Sequence, residues 1–424
     1  MAENGIESAR TPAGIPVVTV PKKGGMTSGY MVGVHTGSRD ESTDVLGISH
    51  LLEHVVFRRT KTKDSYQMAK EIEGAGGELN AFTGREMTAY YGITLSETKD
   101  VAKGMVYDIV ANPLLDEEDV ELEKKIVLQE LSMIENEPES HIHDLYSEFL
   151  WRGHKLSQDE GGKVDIVKGL GSEELKEYYN DRYGPPNMSV FAVGDVDLDD
   201  VVEWATNSFD DIPSKGKVIR EPPKAPTSGY RFKENKSEHC HIALGFPGLH
   251  PDDALSPAAS VLSAVLGYGS SSRLFQKVRE EKALVYSIYM SNERHSDTSE
   301  LSTYMSSTSS NVLESLEVTA NVIRGFKAEG LVKGEMDRTK RMLKGTVVRS
   351  GESSARTLYS TGVEYMLTGK ARTMEERISN MERVTEEDVV RAGEALLRHD
   401  RLNLVILGSG SRKIKNLDIE SLDL

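Results

Sequence analysis

The chain has 424 residues, 38% of them hydrophobic and 28% charged, with a formal net charge of −17. That length allows two or three domains with their own cores, and the composition is that of a soluble globular protein. The acidic balance, with no Lys/Arg cluster, argues against nucleic acid as a partner. No apolar run is long enough to span a membrane. The single cysteine, Cys240, excludes an intrachain disulfide and suits a reducing compartment. The N-terminus, Met1 to Arg10, has no apolar h-region and carries acids, so a cytoplasmic location is expected.

Residues 15–20 read as a first strand ended by Pro21, with Pro16 confined to its start or to an edge. Residues 30–35 read as a second strand in which His35 is structural. Next comes a stretch with two faces. Ile48, Leu51, Leu52 and Val55 recur at i, i+3, i+4 and i+7, an apolar stripe on a helix. His50, Glu53 and His54 lie at i, i+3 and i+4 on a neighbouring face. Two imidazoles one turn apart can hold one Zn²⁺, and Glu53 is then close enough to work on a metal-bound water. This is the inverted form of the zincin motif. The competing reading is a core helix with two satisfied histidines.

A catalytic zinc site needs a third protein ligand and an open position for water. A helix around residues 66–73 is broken by Gly74-Ala75-Gly76-Gly77, and residues 78–83 and 88–93 read as two strands joined by a short turn. The next strongly helical stretch, residues 116–137, has Asp116 as a candidate N-cap and Pro138 as its stop. Glu123 and Glu130 are two turns apart and share a face of it.

With these residues in place, the sequence resembles the pitrilysin and mitochondrial-processing-peptidase family, the inverted-zincin metallopeptidases. That family carries His-x-x-Glu-His, a ligand Glu about this far downstream, and a further Glu two turns before the ligand. The resemblance implies His50, His54 and Glu130 as ligands of one Zn²⁺ per chain, Glu53 as general base and Glu123 as support behind the ligands. The competing reading of Glu123 is a solvated charge on a helix that is acidic all round. The family also carries Asn-Ala-x-Thr where this chain has Asn80-Ala81-Phe82-Thr83. The resemblance places these four residues on an edge strand to which substrate adds by main-chain hydrogen bonds; an ordinary hairpin fits the residues as well.

Two departures stand out. Residues 151–162, including His154-Lys155-Leu156-Ser157-Gln158-Asp159, replace the family's Pro- and Gly-rich loop beside the cleft, so substrate preference is not carried over. Arg59 stands where relatives usually have Gly.

His141 and His143 read as surface residues. A helix (172–183), a strand (188–193) and a helix (199–209) close the first half, and the Pro-rich residues 211–228 read as a linker. The second half repeats the first at an offset of roughly 211 to 214 residues. Residues 242–245 fall on 31–34, 385–387 on 172–174 and 404–408 on 190–194. His50, Glu53 and His54 then meet Val261, Ala264 and Val265: the helix persists without the metal chemistry, which favours a functional role for the motif.

The second half has two signals of its own. The run from Gly267 to Leu274 opens a helix but lacks the Lys-Ser/Thr of a phosphate loop. Arg279 and Tyr286 match an Arg–Tyr pair of the family, and the resemblance implies that they grip substrate carbonyls near the scissile bond; alone, they read as a surface Arg and a strand Tyr. In His239-Cys240-His241 the histidines share one strand face, and no carboxylate lies at ligand spacing for a second metal.

The expected fold is α+β: two similar modules, each a mostly antiparallel sheet covered by helices. Residues 1–210 form the zinc-binding catalytic module, 211–228 the linker, and 229–424 the zinc-free module with the Arg–Tyr pair. The expected function is a zinc-dependent endopeptidase acting on peptides or unfolded polypeptide segments. The alternatives are a catalytically silent scaffold or partner subunit, and a chamber that holds peptides without cutting them. Longer family members hold four modules, with zinc in the first and the Arg–Tyr pair in the fourth. A two-module chain carrying both features is expected to act as a homodimer.

Overall fold

The computed structural model describes residues 5–213 and 216–422; residues 1–4 of the N-terminal stretch, and Ser214 and Lys215 of the expected linker, lie outside the described residues. The strands of the first half are β1 (Glu7–Arg10), β2 (Pro16–Pro21), β3 (Thr27–Val34), β4 (Glu78–Thr83), β5 (Thr88–Leu95) and β6 (Met188–Gly194). They form one sheet in the order β1-β2-β6-β3-β5-β4. Those of the second half are β7 (Gly229–Glu234), β8 (His239–Pro247), β9 (Val285–Arg294), β10 (Ser299–Thr308) and β11 (Asn403–Gly408), in the order β7-β11-β8-β10-β9. Only β2–β6 and β7–β11 pair in parallel; the other described pairs are antiparallel. Pro16 sits at the first residue of β2, as its missing N–H demands.

The internal repeat is present in the register. Gly33 of β3 faces Ser189 of β6, and Gly245 of β8 faces Asn403 of β11. β4 and β9 are the equivalent edges.

Five helices of the first half are α1 (Ile48–Val55), α2 (Ser65–Gly74), α3 (Lys99–Ala111), α4 (Glu117–Asn136) and α5 (Pro138–Leu150). α4 ends at Asn136, just before Pro138 as expected, and Pro138 also opens α5 at its first position, where no N–H is needed.

The chain divides into two compact units that are not collinear with its two halves. One comprises the residues up to Leu131 with Gln158–Glu221 and Val348–Glu375. The other comprises Ser132–Ser157, Pro222–Val347 and the residues from Glu376 onward. In the first unit, one sheet face packs Val32, Val34, Val190 and Ala192 against the apolar stripe of α1 and against Met105, Val106 and Ile109 of α3. The opposite face, with Met31, Phe191 and Val193, is covered by Leu358 and Met366 of the helix Ser354–Thr368. That helix comes very close: a Cβ added to Gly33 would lie 2.1 Å from the Met366 sulfur, and one added to Gly362 would lie 2.6 Å from the Met31 sulfur. Glycine is what the approach requires.

The second unit mirrors this. Ile242, Leu244 and Ile406 pack against Leu262, Val265, Leu316 and Ile323, while Ala243, Val405 and Leu407 face Ile142, Leu145 and Leu150 of α5. Each sheet therefore takes one covering helix from the other half of the sequence. Because α5 lies on a sheet, His143 is half-buried rather than on the surface, with its Nε2 2.9 Å from the Tyr289 hydroxyl. The stretch before Pro222 is tied into the first unit. Arg220 makes two hydrogen bonds to the Asp40 carboxylate, at 2.9 and 2.7 Å, and one to the Glu86 carbonyl at 2.6 Å.

Candidate active site

The site is built on α1. Its start is fixed by Gly47, at φ 93°, where a Cβ would lie 2.6 Å from the Gly161 carbonyl oxygen. Glu41, fully buried, accepts the N–H groups of Gly47 (2.7 Å) and Ser49 (2.9 Å), satisfying donors that the helix start leaves open. Burial raises the Glu41 carboxyl to about 7, against the pull of those amides. The apolar stripe of α1 is buried and turns His50, Glu53 and His54 toward the open side.

α4 brings Glu130 across that side. Its Oε2 lies 3.4 Å from His50 Nε2 and 3.5 Å from His54 Nε2, with the two imidazole centroids 4.7 Å apart. Donor atoms of the three residues all lie within 4.8 Å of one another. Two imidazoles and a carboxylate are a donor set that Zn²⁺ takes, and three protein ligands leave room for a water. The residues fit the ion. Burial lowers the His50 imidazole, but the carboxylates of Glu53 and Glu130 outweigh it and the net shift is upward. The pocket is organised to hold positive charge.

Glu123 is 6% exposed and places Oε2 3.2 Å from His54 Nδ1. It is a buried partner of a candidate ligand, not a solvated helix charge. The hydrogen bond fixes which imidazole nitrogen faces the donor cluster.

β4 is the open edge of the first sheet, and Asn80, Ala81, Phe82 and Thr83 all lie on it. Its alternation separates their roles. Ala81 packs toward the α1 core, and Phe82 turns to the other face, its ring centroid 4.9 Å from that of Tyr359. Asn80 Oδ1 accepts the Ala81 N–H at 2.8 Å. Thr83 points to the chemistry instead: its hydroxyl donates to Glu53 Oε2 at 2.7 Å. The loop that departs from the family pattern reaches the same place. Gly162 packs against Gly47, and Asp159, raised by burial and by the Glu160 charge, lies near enough to His50 to feel its field.

In the second unit, Arg279 and Tyr286 are brought together. Arg279 sits in a π-helical turn, Phe275–Glu280, and its guanidinium lies 4.7 Å from the Phe275 ring centroid and 5.8 Å from that of Tyr286. Tyr286 is on the edge strand β9 and is 76% exposed. Val261, Ala264 and Val265, the counterparts of the motif residues, are buried core.

The chain is 30% identical over 419 residues to an uncharacterized zinc protease of Streptomyces coelicolor, across 95% of this chain and 90% of that protein. It is 32% identical over 385 residues to the uncharacterized zinc protease YmxG of Bacillus subtilis, across 90% and 93%. Residues 17–160 match the Insulinase (Peptidase family M16) domain, and residues 170–343 match the Peptidase M16 inactive domain. The chain belongs to peptidase family M16.

The M16 fold is found in solved structures as well. A peptidase M16 inactive domain from Pseudomonas fluorescens superposes with a TM-score of 0.88 at 19% identity, over 96% of this chain and 98% of that one. A protease from Helicobacter pylori gives 0.88 at 21% identity, over 95% and 99%. The division of the M16 matches follows the chemistry: the His-x-x-Glu-His stretch is in the first, and the helix with valine and alanine in its place is in the inactive domain. Among the described residues, no helix is long and apolar enough to cross a membrane. One residue of this M16 site, Glu41, lies in no motif and is not singled out by sequence reasoning. Thr83 is, but its bond to Glu53 spans thirty residues of chain, with no local pattern to announce it.

Proposed function

We propose that this protein is a zinc-dependent endopeptidase that hydrolyses peptides or unfolded segments. The observation that carries the reading is the convergence of His50 Nε2 and His54 Nε2 on Glu130 Oε2, with the Glu53 carboxylate alongside. His50, His54 and Glu130 would hold zinc, which when bound would supply Lewis acidity to the scissile carbonyl and to water. Glu53 is the base. Thr83 engages its Oε2 and leaves Oε1 to take a proton from water and return it to the leaving nitrogen. The open edge of β4 takes the substrate in extended form, so folded proteins resist cleavage. Arg279 and Tyr286 act as donors to substrate carbonyls.

The test is a pooled peptide digest read by mass spectrometry, with and without a chelator. Glu53→Gln is expected to keep zinc and lose cleavage, because an amide cannot take the proton. His50→Ala and Glu130→Gln are expected to lose zinc as well. Full activity in Glu53→Gln would reject the mechanism. The match of residues 170–343 to the Peptidase M16 inactive domain leaves one other reading open, a chamber that holds peptides. Zinc binding by the wild type with no turnover of any peptide would select it.

A further inference from the structure

Behind the His54–Glu123 pair lies a second layer of charge. α4 presents Asp119 and Glu123 one turn apart, 4% and 6% exposed. Two carboxylates at i and i+4 repel each other, and burial deprives both of water. Two consecutive arginines after α1 answer them. Arg59 donates through Nε to Asp119 Oδ2 at 2.6 Å. Arg58 lies between the acids, its Nη1 3.5 Å from Glu123 Oε1 and its Nε 3.9 Å from Asp119 Oδ1. Asp119 thus has its close bond from Arg59, and Arg58 is the cation that faces Glu123. One oxygen of Glu123 is turned to Arg58 and the other to His54 Nδ1.

We infer that Arg58 is a positioning residue for the metal centre: it anchors one oxygen of Glu123 so that the other holds His54 by its Nδ1–H. The inference rests on reading the His50–His54–Glu130 cluster as a zinc site. A carboxylate behind a histidine ligand sets the tautomer and the ring angle, and so the binding strength of the ring's other nitrogen. A carboxylate free to rotate sets neither. In this chain the anchor is supplied from the residues just after the ligand helix, so the segment that carries His54 also carries the group that steadies its support. Arg59 makes that arrangement possible by taking Asp119, which would otherwise compete for Arg58.

The experiment is a double-mutant cycle on zinc affinity, measured on the full chain by competition with a chromophoric chelator. The proteins are wild type, Arg58→Gln, Glu123→Gln and the double variant. Loss of a partner behind a metal ligand weakens binding by about tenfold to a hundredfold. Glu123→Gln is expected to fall in that range and Arg58→Gln at its lower end. The double variant is expected to bind no more weakly than Glu123→Gln alone, because Arg58 acts through Glu123. Arg58→Lys keeps the charge without the planar fork and is expected to restore part of the affinity. Should Arg58→Gln fail to fold, the same cycle is run with Arg58→Lys, whose smaller loss must likewise vanish in the Glu123→Gln background. An Arg58 variant with wild-type affinity overturns the inference. So does an Arg58 effect of equal size with and without Glu123, which would mark a role in packing. Absence of zinc binding by the wild type would instead reject the zinc reading, and this inference with it.

Discussion

A carboxylate that takes a proton from water works best with one oxygen held and the other free. Thr83 holds Glu53 in that way. A hydrogen bond to a charged group contributes about 1.5 to 3 kcal/mol. If that bond orients the base, Thr83→Val loses roughly tenfold to a hundredfold in kcat, with zinc content unchanged, and Thr83→Ser recovers most of it. A Thr83→Val enzyme with normal kcat but raised KM would return Thr83 to a role in binding substrate. A second residue, His35, titrates outside the candidate ligand set. Burial, and then the charges of Arg220 and Lys217, push it down to about 4. Its folded pKa lies below the unfolded value of about 6.5, so the unfolded chain takes up the proton first as pH falls. The associated stability is complete above about pH 6.5 and drains away between there and pH 4, by roughly 2 to 3 kcal/mol. Denaturant unfolding of wild type and His35→Gln at pH 7.5 and pH 4 checks this. The wild type is expected to lose more on acidification, and equal losses would refute the assignment. Of the site itself, His50, Glu53 and His54 were legible because helical spacing alone puts them together. Glu130 needed the family resemblance. The bonds from Thr83 to Glu53 and from Arg58 to Glu123 were not legible, because each joins residues far apart in sequence through tertiary packing.

The motif helix is short, eight residues, and an isolated helix of that length does not persist in water. It depends on its buried stripe and on the way it is started. Gly47 combines a positive φ with contact on the 158–162 loop, and Glu41 reaches back to its N–H. Gly47→Ala meets both obstacles, a strained backbone and a Cβ 2.6 Å from a carbonyl oxygen. The expected cost is roughly 2 to 4 kcal/mol, seen as a lower urea midpoint with unchanged slope. An unchanged midpoint would mean that the loop yields and does not fix α1. Most elements were legible from periodicity: β4 spans the residues read as strand, and β6 and the helices Ser172–Arg182 and Leu198–Phe209 end within a residue of expectation. The placement of α5 and Ser354–Thr368 was not. An apolar stripe shows that a helix is covered by something, not which sheet it covers.

At the scale of the assembly, we propose a homodimer in which zinc and Glu53 of one copy work with Arg279 and Tyr286 of the other. Glu53→Gln and Tyr286→Phe are each expected to be nearly inactive alone. In a mixed dimer, one site receives both lesions and the other neither. With random exchange about half the dimers are mixed and half of their sites are intact, so roughly a quarter of wild-type activity returns. No recovery on mixing would reject the composite site while leaving the zinc assignment in place. The internal repeat was legible because its strands recur at a nearly constant offset. Its exchange of helices was not, and that exchange bears on how the protein is made. Synthesis runs from the N-terminus at about 5 to 20 residues per second. The last strand of the first sheet, β6, ends at Gly194, but the helix that covers Met31, Phe191 and Val193 begins only at Ser354. For roughly 10 to 30 seconds the nascent sheet therefore waits on the ribosome with an apolar face in water. Over the same interval α5 is already made, and the sheet it will cover lacks an interior strand, β11, until almost the whole chain has been translated.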